Sequence, residues 1–134
     1  MIFLDSSFLV AYSNEKDEYH EKAVKIAKEI DNDKYGTAVI TDYIFDETMT
    51  TLLSRTGNFA KTIETGNKIL DTVSVLNMDS SLFLEAWRVF KAQKKLSLSF
   101  TDCSIIAMCK TQGILTLVTF DRLLKEESRM NIVD

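Results

Sequence analysis

Residues 1–12 read MIFLDSSFLVAY, a run whose chemistry changes abruptly at Asp5. Ile2–Leu4 is short and wholly apolar, as a strand buried on both faces of a sheet must be, and Asp5 with the serines behind it is a good helix start. A buried strand followed at once by a helix is the first half of a strand–helix–strand unit. Outward from this stretch the alternation recurs. Ala38–Thr41, Val73–Leu76 and Leu115–Thr119 are further short apolar or β-branched runs, and Asn131–Val133 reads as a last short strand. Between them lie helical patterns at Ser7–Tyr12, Tyr19–Asp31, Tyr43–Thr56, Asn58–Asp71, Ser80–Lys95 and Thr101–Gln112, with Gly57 and Gly113 placed as helix stops. The alternation predicts an α/β domain with helices on both faces of a central parallel sheet.

The arithmetic of the whole chain agrees. Its 134 residues and 15.3 kDa leave room for one domain, residues 1–134, with a core that needs no staples. Hydrophobic residues at 46% and charged residues at 27% argue against both a disordered chain and a membrane protein, and no apolar run approaches the roughly 20 residues of a span. MIFLD is too short before its aspartate to be the apolar region of a signal peptide, so a cytoplasmic protein is expected. Cys103 and Cys109 point to different sides of one helical pattern and are expected as reduced core residues. Sixteen basic against twenty acidic residues give a net charge of −4, so a nucleic-acid partner would have to be engaged through a local patch or a metal.

In a parallel sheet, ligands bind outside the carboxyl ends of the strands, which directs attention to acids placed just after them. Asp5 follows Ile2–Leu4 directly, and Asp121 follows Leu115–Thr119 after only Phe120. Each also reads as a plain helix cap. Asp102 lies in FTDCSIIAMCKTQG, a helix apolar nearly all round, and shares a face with Ile105, Ile106 and Cys109. It fits the third position behind a Ser99 cap, yet the helix dipole contributes only about 0.3–1 kcal/mol whereas burying an unpaired charge costs several kcal/mol. A fourth acid comes from TDYIFDETMTTLLSR, which offers Asp42, Asp46 and Glu47. With Phe45, Met49, Leu52 and Leu53 marking the core face, the helical wheel favours Asp46 and sets Glu47 on the far side with Thr48 and Thr51.

Two carboxylates about 4 Å apart repel by roughly 4 kcal/mol at an effective dielectric near 20, so a convergent set needs a compensating cation. All-oxygen ligation suits Mg²⁺ or Mn²⁺ rather than Zn²⁺. His20, the only histidine, stands in the polar KDEYHEKA and is expected to be an ordinary surface residue, which disfavours a zinc site and a Ser-His-Asp triad. Hard cations with open water positions serve phosphate chemistry, and the implied reaction is phosphodiester hydrolysis. No GxxxxGK[ST] loop is present to support a nucleotide triphosphatase. An aspartyl-phosphate phosphatase would want a second acid two residues after the first, where Ser7 stands.

Four segments then carry a family resemblance: IFLDSSFLVAY, TDYIFDETMTTLLSRTG, LSFTDCSIIAMCKTQGI and LVTFDRLL. In this order and spacing the chain resembles the PIN-domain ribonucleases, especially the small toxins of the VapC type. The resemblance implies a three-layer α/β/α sandwich with a central parallel sheet and metal-dependent endoribonuclease activity. It also implies homodimerisation and inhibition by a small antitoxin protein. It maps the family's acidic quartet onto Asp5, Glu47, Asp102 and Asp121, with Ser7 and Thr119 as nearby hydroxyls, and so overrules the wheel at Glu47 while Asp46 stays in reserve. In that assignment Asp5, Asp102 and Asp121 hold Mg²⁺ or Mn²⁺, and Glu47 completes the shell or orients the attacking water. Other readings are a PIN-fold nuclease of RNA processing or of DNA, and a catalytically silent RNA- or protein-binding module. Candidate RNA contacts are the Lys91, Lys94 and Lys95 cluster in WRVFKAQKK, with Arg55, Lys61, Arg88, Arg122 and Lys125 flanking the motifs. Phe83, Trp87 and Phe90, at helical spacing, read as core or dimer seam before base-stacking platform.

Overall fold

Ile2–Leu4 forms the middle strand, β1, of a five-stranded sheet in the computed structural model, which describes residues 1–94 and 98–134. Along the chain follow α1 (Ser6–Ser13), α2 (His20–Asp31), β2 (Ala38–Thr41), α3 (Asp42–Thr56), α4 (Phe59–Thr72) and β3 (Ser74–Leu76). The second half comprises α5 (Ser80–Lys91), α6 (Phe100–Gln112), β4 (Thr116–Val118), α7 (Arg122–Glu127) and β5 (Asn131–Val133). The expected strands and helices are all present, with ends shifted by a residue or so. The helix expected to reach Lys95 stops at Lys91, and Lys95 itself lies outside the described residues.

The strand order is β3-β2-β1-β4-β5 and every pairing is parallel. From β1 the chain moves outward through β2 to β3, then crosses over to β4 and continues outward to β5. Right-handed crossovers therefore lay α1–α4 on one face and α5–α7 on the other, a three-layer α/β/α sandwich. Packing follows that division: α1 lies against α2 and α3, α3 against α4, and α5 against α6. The order reverses between β1 and β4, and such a switch point opens a crevice at the carboxyl ends of the two strands.

The central strands β1, β2 and β4 are largely apolar and buried because both faces are covered, while the edge strands β3 and β5 start with exposed polar residues. Ile2, Phe3, Ile40, Leu117 and Val118 are fully buried, with Ile44, Leu52, Ile105 and Met108 supplied by the helices above and below. Gly57 and Gly113 end α3 and α6 at φ 62° and 67°, a left-handed turn that only glycine adopts without strain. Cys103 and Cys109 are buried free thiols, and burial pushes them up to about 11 and about 12. Among the described residues no helix is long and apolar enough to cross a membrane.

His20 differs from its expected role. It is half-buried at the start of α2, and its Nδ1 lies 2.8 Å from the Ala11 carbonyl, so it ties α2 back to α1. The stripe on α5 is neither core nor free platform. Phe83 and Phe90 pack their rings on Phe100 of α6 at 5.5 and 6.0 Å, while Phe83, Leu84 and Trp87 remain roughly half exposed. Lys91 sits 5.6 Å over the Trp87 ring.

Candidate active site

The switch-point crevice is where Asp5 emerges. Leu4 pairs with Val118, so the next residues, Asp5 and Thr119, meet at the rim, and the Asp5 amide donates to the Val118 carbonyl at 3.0 Å. Asp5 is the N-cap of α1 and is 3% exposed. Its Oδ2 accepts from Ser7 Oγ at 2.6 Å and from Thr119 Oγ1 at 2.7 Å. Both hydroxyls in turn accept backbone amides, Phe120 N on Ser7 and Asp121 N on Thr119, each at 3.0 Å. With their lone pairs engaged from behind, the hydroxyl protons are directed onto Asp5. Phe120, stacked 4.7 Å from Tyr19 and packed on Phe8, anchors the short loop that carries these amides.

Asp121 and Asp102 are also held at helix starts. Asp121 caps α7, accepting from Leu124 N at 2.9 Å. Asp102 closes a capping box on α6, taking Ser99 N at 2.8 Å while giving its own amide to Ser99 Oγ at 3.1 Å. The capping roles legible in the sequence are therefore real. Capping and clustering coexist, because the fold brings these helix starts to one edge of the sheet.

Glu47 arrives from α3. The wheel misplaced the face of this helix: its buried line is Ile44, Thr48 and Leu52, with Leu53 39% exposed and Phe45 and Met49 half-buried. Thr48 serves as an apolar residue because its hydroxyl is consumed by the Ile44 carbonyl at 2.6 Å, leaving the methyl to pack. Centred there, the helix turns Glu47 toward α1 and leaves Asp46 exposed. Ser6 Oγ meets Glu47 Oε2 at 2.6 Å and lies 3.4 Å from Asp5 Oδ1. Ser6 carried no mark in the sequence beyond standing next to Asp5. Asp42, the third acid of that stretch, is structural, accepting Met78 N at 3.0 Å and so tying the start of α3 to the loop after β3.

Burial acts on three of these acids and like charge on two of the three. Burial pushes the Asp5 carboxyl above its ordinary range even against its hydroxyl and backbone donors. Glu47 is raised first by burial and then by the like charges of Asp5, Asp102 and Asp46. Asp102 is raised first by burial, then by Asp5 and Asp121. Among the described residues none of the four pairs with a lysine or arginine; the ion pairs lie elsewhere on the surface. Nor do any three acidic, histidine or cysteine side chains there stand close enough to enclose an ion as they are oriented. The donor chemistry nevertheless fits a hard divalent cation: oxygen ligands, unmet negative charge and only neutral partners.

Beside Glu47 is an opening of about 500 Å³ lined by Tyr43, Asp46, Glu47, Thr50, Thr51, Phe100 and Thr101. A larger groove, about 960 Å³ between α1, α2 and α4, is lined by none of the four acids. The smaller opening is the one that adjoins the chemistry.

Comparison with known proteins agrees with this fold. The 23S rRNA-specific endonuclease VapC20 of Mycobacterium tuberculosis is 27% identical over 121 residues, spanning 90% of this chain and 89% of the relative. The crystal structure of VapC20, a sarcin–ricin loop cleaving toxin, superposes with a TM-score of 0.84 at 24% identity over 94% of both chains. VapBC2 from Rickettsia felis, crystallised with a DNA fragment from its promoter, gives 0.72 at 15% identity, covering 99% of this chain and 98% of the other. The family model described as the PIN domain matches residues 2–128, and this chain belongs to the PIN-domain family.

Proposed function

We propose that this protein is a metal-dependent endoribonuclease, the toxin of a toxin–antitoxin pair, acting on RNA in the cytoplasm. The observation that carries the reading is a buried aspartate at the sheet's switch point. It is held only by uncharged donors and its like charge acts on Glu47 and Asp102, with no cation paired to any of them among the described residues. The likeness to VapC20, an RNA endonuclease, supports the substrate class. Asp5, Asp102 and Asp121 would hold Mg²⁺ or Mn²⁺, which supplies a polarised phosphoryl group and an activated water when bound. Ser7, Thr119 and Ser99 fix the carboxylates that do this, and Glu47 orients the attacking water and receives its proton. Water adds to phosphorus, the bond to the 3′ oxygen breaks, that oxygen takes a proton from solvent, and the products are a 5′-phosphate and a 3′-hydroxyl, with Glu47 returning its proton to solvent.

A toxin must be silenced in the cell that makes it, so an antitoxin protein is its expected partner. Homodimerisation is supported by the exposed Phe83, Leu84 and Trp87 on α5, apolar surface that a lone monomer leaves in water.

Incubating the pure protein with total RNA, with and without Mn²⁺, tests the reading. Discrete cleavage that needs the metal and falls by about a hundredfold or more in Asp5→Asn and Asp102→Asn is expected. Full metal-dependent cleavage by either variant would displace the site, and no cleavage of any RNA alongside intact RNA binding would mark a silent binding module.

A further inference from the structure

We infer that Ser6 is a positioning residue for this reaction, its hydroxyl fixing the Glu47 carboxylate beside Asp5. The inference rests on the ribonuclease reading for its consequence and on the geometry of one hydrogen bond for its substance. Ser6 is the first residue of α1, directly after the Asp5 cap. That position decides where its proton goes. Hydroxyls deeper in a helix donate to the carbonyl one turn back, as Thr48, Thr56, Thr62 and Thr72 do here at 2.6 to 2.9 Å. In the first turn no such local acceptor exists, and Ser6 Oγ reaches across to α3, 41 residues away in sequence, to donate to Glu47 Oε2 at 2.6 Å.

A hydroxyl has a single proton, and two carboxylates compete for it. Asp5 Oδ1 is 3.4 Å away and Glu47 Oε2 is 2.6 Å away, so the proton belongs to Glu47 at the short distance of a charge-assisted bond. Asp5 needs it less, having Ser7 and Thr119 on its other oxygen. Glu47 has a long, flexible side chain, lies beside an open cavity, and feels the like charges of Asp5, Asp102 and Asp46. Without Ser6, that repulsion would turn the carboxylate toward the opening lined by Tyr43 and Thr51. Ser6 thus stands between the strand-end acid, its neighbour in the chain, and the helical acid, 41 residues from it in sequence.

The test compares Ser6→Ala, Ser6→Thr and Glu47→Gln, singly and combined, in the full chain. On an RNA that the wild type cuts, Ser6→Ala should lower kcat about tenfold to a hundredfold with KM within about twofold, as a misplaced group does. Ser6→Thr, which keeps the hydroxyl, should restore most of it. In the Glu47→Gln background, Ser6→Ala should add less than about twofold, because both changes act through the same carboxylate. Unchanged kcat in Ser6→Ala, or a full additional loss in the Glu47→Gln background, would overturn the assignment. A metal-free measurement separates this inference from the functional reading: the Glu47 side-chain carboxyl ¹³C resonance should move in Ser6→Ala and stay in Ser6→Thr. If the wild type cut no RNA, the ribonuclease reading would fall while that resonance still decided the contact; no movement in Ser6→Ala would overturn the contact even in an active enzyme.

Discussion

Asp5 is buried and raised in pKa although hydroxyl and backbone donors favour its charged form, which means desolvation outweighs its hydrogen bonds. The consequence for stability has a definite sign. A carboxyl raised in the folded state binds its proton more tightly there than in the unfolded chain, so the folded state is favoured at low pH and loses that advantage as pH climbs. Asp5, Glu47 and Asp102 all shift this way from ordinary values of 3.8, 4.5 and 3.8. The metal-free protein should therefore lose stability as pH rises from about 4 through the raised values of these groups. Asp5→Asn removes the buried charge while Asn still caps the helix and accepts from Ser7 and Thr119. Its thermal unfolding at pH 7 should be unchanged or stabilised by about 1–2 kcal/mol relative to wild type, with the difference shrinking toward pH 4. A variant markedly less stable at neutral pH would show that Asp5 is structural first.

At the scale of the element, the starts of α1, α6 and α7 each carry one acid of the proposed site, so helix capping and the proposed site share the same residues. Ser99→Ala removes a partner of the Asp102 capping box. It should cost about 1 kcal/mol, seen as a fall in melting temperature of about 3–5 °C, and should lower RNA cleavage more than that loss explains. Ser99→Thr should restore both. This scale also shows why some of the site was legible and some was not. Asp5 and Asp121 follow strands, and Asp102 interrupts an apolar helix, so local pattern located them. Glu47 was hidden because the wheel treated Thr48 as polar; a threonine whose hydroxyl bonds its own helix behaves as core, and the inferred face rotated accordingly. The family's motif spacing, not periodicity, is what proposes Glu47 over Asp46. Ser6 was hidden for another reason: its partner comes from a distant segment, and only the packing of α1 on α3 brings the two together.

At the scale of the molecule, the parallel order β3-β2-β1-β4-β5 places one crevice between β1 and β4, and the acids of that rim face no protein cation among the described residues. Fold class was legible because buried strands and amphipathic helices differ in length and periodicity, whereas strand order depends on crossovers that local pattern does not encode. Assembly belongs to this scale too. Light scattering should give twice the 15.3 kDa chain mass, and Leu84→Glu, a charge on the exposed α5 stripe, should shift the protein to monomer. A wild type that stays monomeric at high micromolar concentration would remove the dimer. Central to everything is the claim that the rim acids await a doubly charged ion, and calorimetric titration of the metal-free protein with Mn²⁺ tests it most directly. Saturable binding is expected, lost in Asp5→Asn and raising wild-type stability by about 2.7 kcal/mol at a hundredfold excess over Kd. Equal binding by wild type and Asp5→Asn, or none by either at millimolar Mn²⁺, would contradict it.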